Sequence, residues 1–156
     1  MDQLGAIVAV LLSLCLLASS VHGSTTKVTY CDKKADYDVK VSGVDIIPYP
    51  VERGKPATFR IPATSGKTVT AGKIEIDVSY FGVHIHSETR DLCEESSCPI
   101  SAGDFVISHT QVLPGFTPPG SYTLRMRILD ENKHQLTCIS FQFSIGFGSE
   151  SDVASI

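Results

Sequence analysis

Ile74, Ile76, Val78 and Tyr80 alternate with Lys73, Glu75, Asp77 and Ser79. A strand points successive side chains to opposite faces, so this period of two predicts a strand with one apolar and one wet face. The period returns along the chain. It is seen in Tyr37, Val39 and Val41, in Ala57, Phe59 and Ile61, and in Val83 and Ile85. It recurs from Phe105 to Leu113, in Tyr122, Leu124, Met126 and Ile128, and in Ile139, Phe141, Phe143 and Ile145. Between these runs stand Ser42-Gly43, Pro48-Tyr49-Pro50, Arg53-Gly54-Lys55-Pro56, Gly82, Pro114-Gly115 and Asp130-Glu131-Asn132-Lys133. Such residues turn the chain or withhold a donor from a ladder. About seven runs with no helical period between them predict an all-β fold, an antiparallel sandwich.

The cysteines and the first residues bound the setting. Residues 1–23 read as a secretory signal: Leu4 to Ala18 is an uncharged apolar core, too short to span a bilayer comfortably, and small residues follow it. Cleavage after Gly23 or Ser20 would remove Cys15 and leave Cys31, Cys93, Cys98 and Cys138. In an oxidising compartment these are expected to be bridged. Four cysteines allow three pairings. The five-residue spacing of Cys93 and Cys98 and the terminal placement of Cys31 and Cys138 favour Cys93–Cys98 with Cys31–Cys138. The latter should lie on an outer face or an edge of its sheet, because Cys138 alternates with Ile139 and Phe141. Residues 147–156, rich in glycine, serine and acidic side chains, read as a loose tail.

Charge and motifs narrow the function. Without the leader the chain has 13 basic and 16 acidic residues, a formal charge of −3, and no basic run. A nucleic-acid partner is not expected. Ser65-Gly66-Lys67-Thr68 imitates the end of a phosphate loop, but Ile61 stands where the motif needs glycine. A turn is expected there. His84 and His86, two apart on a strand, should share a face. They could begin a metal site only if His109, Glu88 or Asp91 joined them, and no spacing argues for that; polar residues of an outer face or a cavity rim are expected. Glu94-Glu95, inside the small cysteine loop, is expected to be solvated. No nucleophile elbow or metalloprotease helix is present, and neither catalysis nor a cofactor is expected. The apolar face offers Phe59, Ile74, Ile76, Val78, Tyr80, Tyr122, Leu124, Met126, Ile139, Phe141 and Phe143. These side chains either fill a core or, where the sheets splay, line a cavity.

In order along the chain stand Cys31, the segment Cys93 to Pro99, Val112-Leu113-Pro114, Tyr122-Thr123-Leu124 and Cys138-Ile139-Ser140-Phe141. This order of motifs resembles the ML-domain lipid-recognition family, which includes the Niemann–Pick type C sterol-transfer protein. The wording between them, including Gly82-Val83-His84-Ile85 and Pro114 to Gly120, is similar to plant members described as phosphatidylglycerol/phosphatidylinositol transfer proteins. The resemblance implies an immunoglobulin-like sandwich over residues 24–146 whose sheets part at one end around a single lipid. Its portal would be built by Gly82 to His86 and by Leu113 to Gly120, which adds Val83, Ile85, Leu113, Pro114 and Phe116 to the expected site. Sterol-transfer members often have a further disulfide near Pro48-Tyr49-Pro50, where this chain has Tyr49. They also carry proline and phenylalanine in the first portal segment, where it has His84, His86 and Ser87. The implied function is non-catalytic binding and transfer of a phospholipid or sterol, by a secreted or vacuolar monomer that touches membranes transiently. A module presenting a ligand to a membrane receptor is the alternative.

Overall fold

Each alternating run forms a strand. The structure, a computed structural model, describes residues 21–147, so the leader and tail expected from the sequence lie almost wholly outside the described residues. The strands are β1 (Ser24–Thr26), β2 (Thr29–Tyr30), β3 (Val39–Val41), β4 (Val44–Ile47), β5 (Pro56–Ser65), β6 (Gly72–Tyr80), β7 (Val83–Asp91), β8 (Gly103–Val112), β9 (Gly120–Asp130) and β10 (Gln135–Ile145). The one helical turn is α1 (Leu92–Glu95). Among the described residues ten strands stand where about seven were expected; the surplus is β1, β2 and β4, segments of two to four residues.

Two antiparallel sheets face each other. In one, β5 carries β4 and β3 in succession along one edge and β8 along the whole of the other, with β1 outside β4. The second runs β2–β10–β9–β6–β7. Inward side chains such as Val39, Ile46, Ile74, Met126, Ile128 and Ile139 are buried between them. Removing this apolar area from water is the main favourable term holding the sheets together.

The two seams between the sheets are closed differently, and this positions the site. Along β10 and β2 the sheets are laced by hydrogen bonds. The Val51 N–H donates to the Ser144 carbonyl and the Gly146 N–H to the Val51 carbonyl, both at 2.9 Å. The Tyr30 hydroxyl accepts from the Val41 N–H at 2.8 Å and donates to the Val41 carbonyl at 3.2 Å. Cys31–Cys138, with Cα atoms 5.4 Å apart, ties the end of β2 to β10 within the second sheet and lies at that sheet's edge, as expected. Along the other seam run β7 and β8, each the outer strand of its sheet, and among the described residues no ladder joins them.

Cys93–Cys98 closes the small loop, with Cα atoms 5.2 Å apart. Within it, α1 is capped by the Asp91 carboxylate, which accepts from the Cys93 N–H at 2.8 Å. Four residues are too few to display a helical period. Ser65 to Thr68 is a turn: the Ser65 hydroxyl donates to the Lys67 carbonyl at 2.6 Å, and the Lys67 ammonium lies 3.2 Å from Asp38.

Candidate functional site

On the β7–β8 side the sheets enclose a cavity of about 480 Å³, within the range of small-molecule pockets, about 300–1,000 Å³. Period two builds its walls. Ile74, Ile76 and Val78 of β6, Tyr122, Leu124 and Met126 of β9, and Phe141, Phe143 and Ile145 of β10 form one wall. Phe59 and Ile61 of β5 and Ile107 of β8 form the other. Ile85, Leu113, Pro114, Phe116, Thr117 and Pro118 line it as well. Ile61, Ile107 and Ile145 were not among the expected cavity residues, although each continues the alternation of its run.

Three expected residues lie elsewhere. Ile139 is wholly buried and pairs with Tyr30 of β2, on the laced side where the sheets meet and leave no space. Val83 opens β7 and faces solvent. Tyr80 pairs with Tyr122 across β6 and β9 and stands beside it outside the lining, with the two rings stacked at 4.6 Å between centroids.

That stack organises the mouth. The Tyr80 hydroxyl donates to the Pro119 carbonyl at 2.9 Å and the Tyr122 hydroxyl to the Pro118 carbonyl at 2.7 Å. Burial, with Tyr80 beside it, holds the Tyr122 hydroxyl above its usual pKa, so it remains a protonated donor. The other end of the loop is held by the Gly54 N–H, which donates to the Leu113 carbonyl at 2.7 Å. With both ends fixed, Phe116 projects from the tip. Opposite it, Phe81 and Gly82 form the two-residue turn between β6 and β7, with φ of 48° and 75°, the left-handed pair that a tight hairpin requires. Phe81, Val83, Ile85 and Phe116 are 79%, 65%, 51% and 86% exposed. A group of exposed large apolar side chains beside a cavity marks an interaction surface. Phe81 was not singled out from the sequence, because the alternation ends before the turn.

His84 and His86 do not share a face. A bulge interrupts the pairing between Val78 and Ser79: Val78 pairs with His86, Ser79 with His84, and Ile85 is the extra residue. One extra residue reverses the alternation locally. His84 therefore lies on the outer face, its Nε2 2.7 Å from the Ser87 hydroxyl and 3.5 Å from Asp77. His86 lines the cavity. On that outer face the Ser87 hydroxyl donates to Asp77 at 2.6 Å and is the main reason the Asp77 carboxyl sits below the usual carboxylate range. Partial burial opposes this shift, and His84, Arg127 and Arg125 assist it.

Beyond His86 the inward positions of β7 are Glu88 and Arg90, and those of β8 beyond Ile107 are His109 and Gln111. All four line the cavity, with Glu95 of α1. The Glu95 side chain is only 9% exposed and its carboxylate lies 3.1 Å from His109 Nδ1. This corrects the expectation of a solvated acidic pair: the first turn of α1 directs Glu94 outward and Glu95 inward. Among the described residues no group of His, Cys, Asp and Glu could hold a metal ion, and no helix is long and apolar enough to cross a membrane.

The sequence model of the ML domain matches residues 25–145 of this chain. A Schizosaccharomyces pombe protein named phosphatidylglycerol/phosphatidylinositol transfer protein is 32% identical over 128 residues, covering 74% of this chain and 66% of the relative. The Aspergillus oryzae protein of the same name is 27% identical over 128 residues, covering 78% and 73%. A Dictyostelium discoideum protein given that name provisionally is 28% identical over 139 residues, covering 86% of this chain and 98% of the relative. Among solved structures, a Niemann–Pick type C2 protein from the Japanese carpenter ant is similar with a TM-score of 0.53, 15% identity, and coverage of 83% of this chain and 96% of that one. Chicken MD-1, solved with lipid IVa, gives 0.50, 15%, 80% and 99%. At such identity these two likenesses show a shared fold.

Proposed function

We propose, from the premise that this chain belongs to the ML-domain family, that it takes up one lipid at a time and carries it between membranes without catalysis. The observation that carries this reading is the apolar cavity with exposed apolar side chains, Phe81, Val83, Ile85 and Phe116, gathered on the segments beside its mouth. Burying hydrocarbon yields about 0.8 kcal/mol per CH₂, which holds a lipid without covalent chemistry. The exposed side chains suit a transient membrane contact, into which the lipid leaves without crossing water. The names of the relatives favour a phospholipid over a sterol, and so do the polar residues along one wall. Both disulfides belong to an oxidising compartment. We place the protein outside the cell or in the vacuolar lumen, acting as a monomer.

Transfer of labelled phosphatidylglycerol or phosphatidylinositol between vesicles tests this. The wild-type protein should accelerate transfer, and Phe116→Ala should slow it while leaving the melting temperature nearly unchanged. Truncating a side chain this exposed usually changes stability by no more than about 0.5 kcal/mol. A Phe116→Ala protein that melts much lower yet transfers normally per folded molecule would make Phe116 a structural anchor.

A further inference from the structure

The cavity has the capacity of one hydrocarbon chain. A methylene fills roughly the 30 Å³ that a water molecule takes up in the liquid, so a cavity of about 480 Å³ holds about sixteen methylenes. Its depth agrees. Ile74 and Met126, 2% and 1% exposed, lie at the end away from the mouth, and Val78 pairs with Leu124 nearer to it. From Ile74 to Val78 the strand rises about 13 Å, at about 3.3 Å per residue. One leaflet of a bilayer is about 15 Å deep, half of a hydrocarbon core of about 30 Å. A membrane phospholipid has two such chains. The seam between β7 and β8 is a poor outlet for the second. Arg90 Nη2 donates to Glu88 at 3.2 Å and, across the seam, to Gln111 at 3.4 Å. Arg90 Nη1 lies 3.8 Å from Glu95, whose carboxylate is 3.1 Å from His109. A chain passing here would part these partners and strip water from their charges, which is costly. The mouth is different. Ile85 and Phe116 line the cavity and are still 51% and 86% exposed, and Phe81 and Val83 stand beside them in solvent. The apolar lining thus continues past the lip onto the outer surface.

Resting on the lipid-transfer reading above, we propose that the protein holds a two-chain lipid by one chain only, and that the lip is a second hydrocarbon site. The inner chain fills the cavity. The outer chain lies over the lip against Ile85 and Phe116 and reaches toward Phe81 and Val83. These four side chains then serve twice. At a membrane they meet the bilayer. After departure they cover the chain that the cavity has no room for, and that chain in turn covers apolar surface that would otherwise face water. Single-chain amphiphiles, lysophospholipids and free fatty acids, fit the cavity without using the lip, and they join the class of ligands this protein takes.

The test loads the folded protein with two photoreactive probes. One is phosphatidylglycerol with a diazirine at the end of each chain; the other is lysophosphatidylglycerol with the same single labelled chain. After irradiation the labelled residues are mapped by peptide mass spectrometry. The two-chain probe should label both the deep end, at Ile74 and Met126, and the lip, at Ile85, Phe116, Phe81 or Val83. The single-chain probe should label the deep end alone. A two-chain probe found only at the deep end has both chains inside, which overturns the inference and leaves lipid transfer standing. Lip labelling of equal strength by the single-chain probe does the same, because the lip is then no separate site. Neither probe bound refutes both readings. Affinity for unlabelled lysophosphatidylglycerols of rising chain length measures the capacity independently. Each added methylene should tighten binding about fourfold until the cavity is full near sixteen carbons, after which the gain should level off. A gain that continues undiminished beyond that length overturns the one-chain capacity.

Discussion

Ser87 shows how much one hydroxyl can organise on a wet face. It donates to Asp77 on β6 and lies against His84 beyond the bulge, so it ties the β6–β7 hairpin together beside the mouth. The sign of its pH effect follows from Asp77. The folded-state pKa is depressed, so the interaction stabilises the protein fully above the unfolded value of about 3.9. That contribution is lost as pH falls through the depressed value. Ser87→Ala should therefore melt lower than wild type by a constant margin at neutral and mildly acid pH, and the margin should shrink below about pH 4. Thermal melts across that range check it; a margin that widens on acidification would contradict the assignment. At this scale the sequence was only partly legible. Alternation located Ile74, Ile76, Val78, Leu124 and Phe141 on one face, because period two is a backbone property. It put His84 and His86 on one face, because a bulge is an insertion that composition does not announce. It also overlooked the wall-lining Glu88, Arg90, His109 and Gln111, since charged side chains on an inward face invite an outward assignment.

Among elements, the difference between the two seams matters most. The β10–β2 side is bonded from sheet to sheet, while on the β7–β8 side, among the described residues, no ladder joins the strands and side chains meet across them. Cys31 and Cys138 are 107 residues apart and Cys93 and Cys98 only 5. On the chain-entropy account the first bridge contributes about 4–5 kcal/mol and the second about 2. Replacing Cys31 and Cys138 together with serine should lower the denaturation midpoint far more than replacing Cys93 and Cys98. The second pair should instead affect the placement of α1 and hence of Glu95. Equal losses in chemical denaturation would contradict this ranking. The cysteine pairing was readable from spacing and terminal position alone. The single turn of α1 was not, because its cause is the Asp91 cap and the closed loop rather than any periodicity.

For the molecule as a whole, the sandwich was legible because the long strands β5, β6, β9 and β10 repeat the same apolar–polar pattern. Whether the apolar face filled a core or lined a cavity was not, since both need the same residues in the same order. The difference lies in how far the sheets stand apart, which depends on bonds between distant segments such as Val51 with Ser144 and Tyr30 with Val41. Ile139 belongs to the closed part and Val78 to the open part, though nothing in their own neighbourhoods separates them. Native mass spectrometry of the protein lacking residues 1–23, after incubation with vesicles of phosphatidylglycerol and phosphatidylinositol, tests the cavity most directly, with Val78→Trp run beside it. The expected result is a single lipid bound per wild-type protein and none on Val78→Trp, with both proteins folded, because the larger ring occupies space reserved for the lipid. A wild-type protein that retains no lipid, together with a Val78→Trp variant destabilised by the roughly 1–3 kcal/mol of an overfilled core, would contradict it.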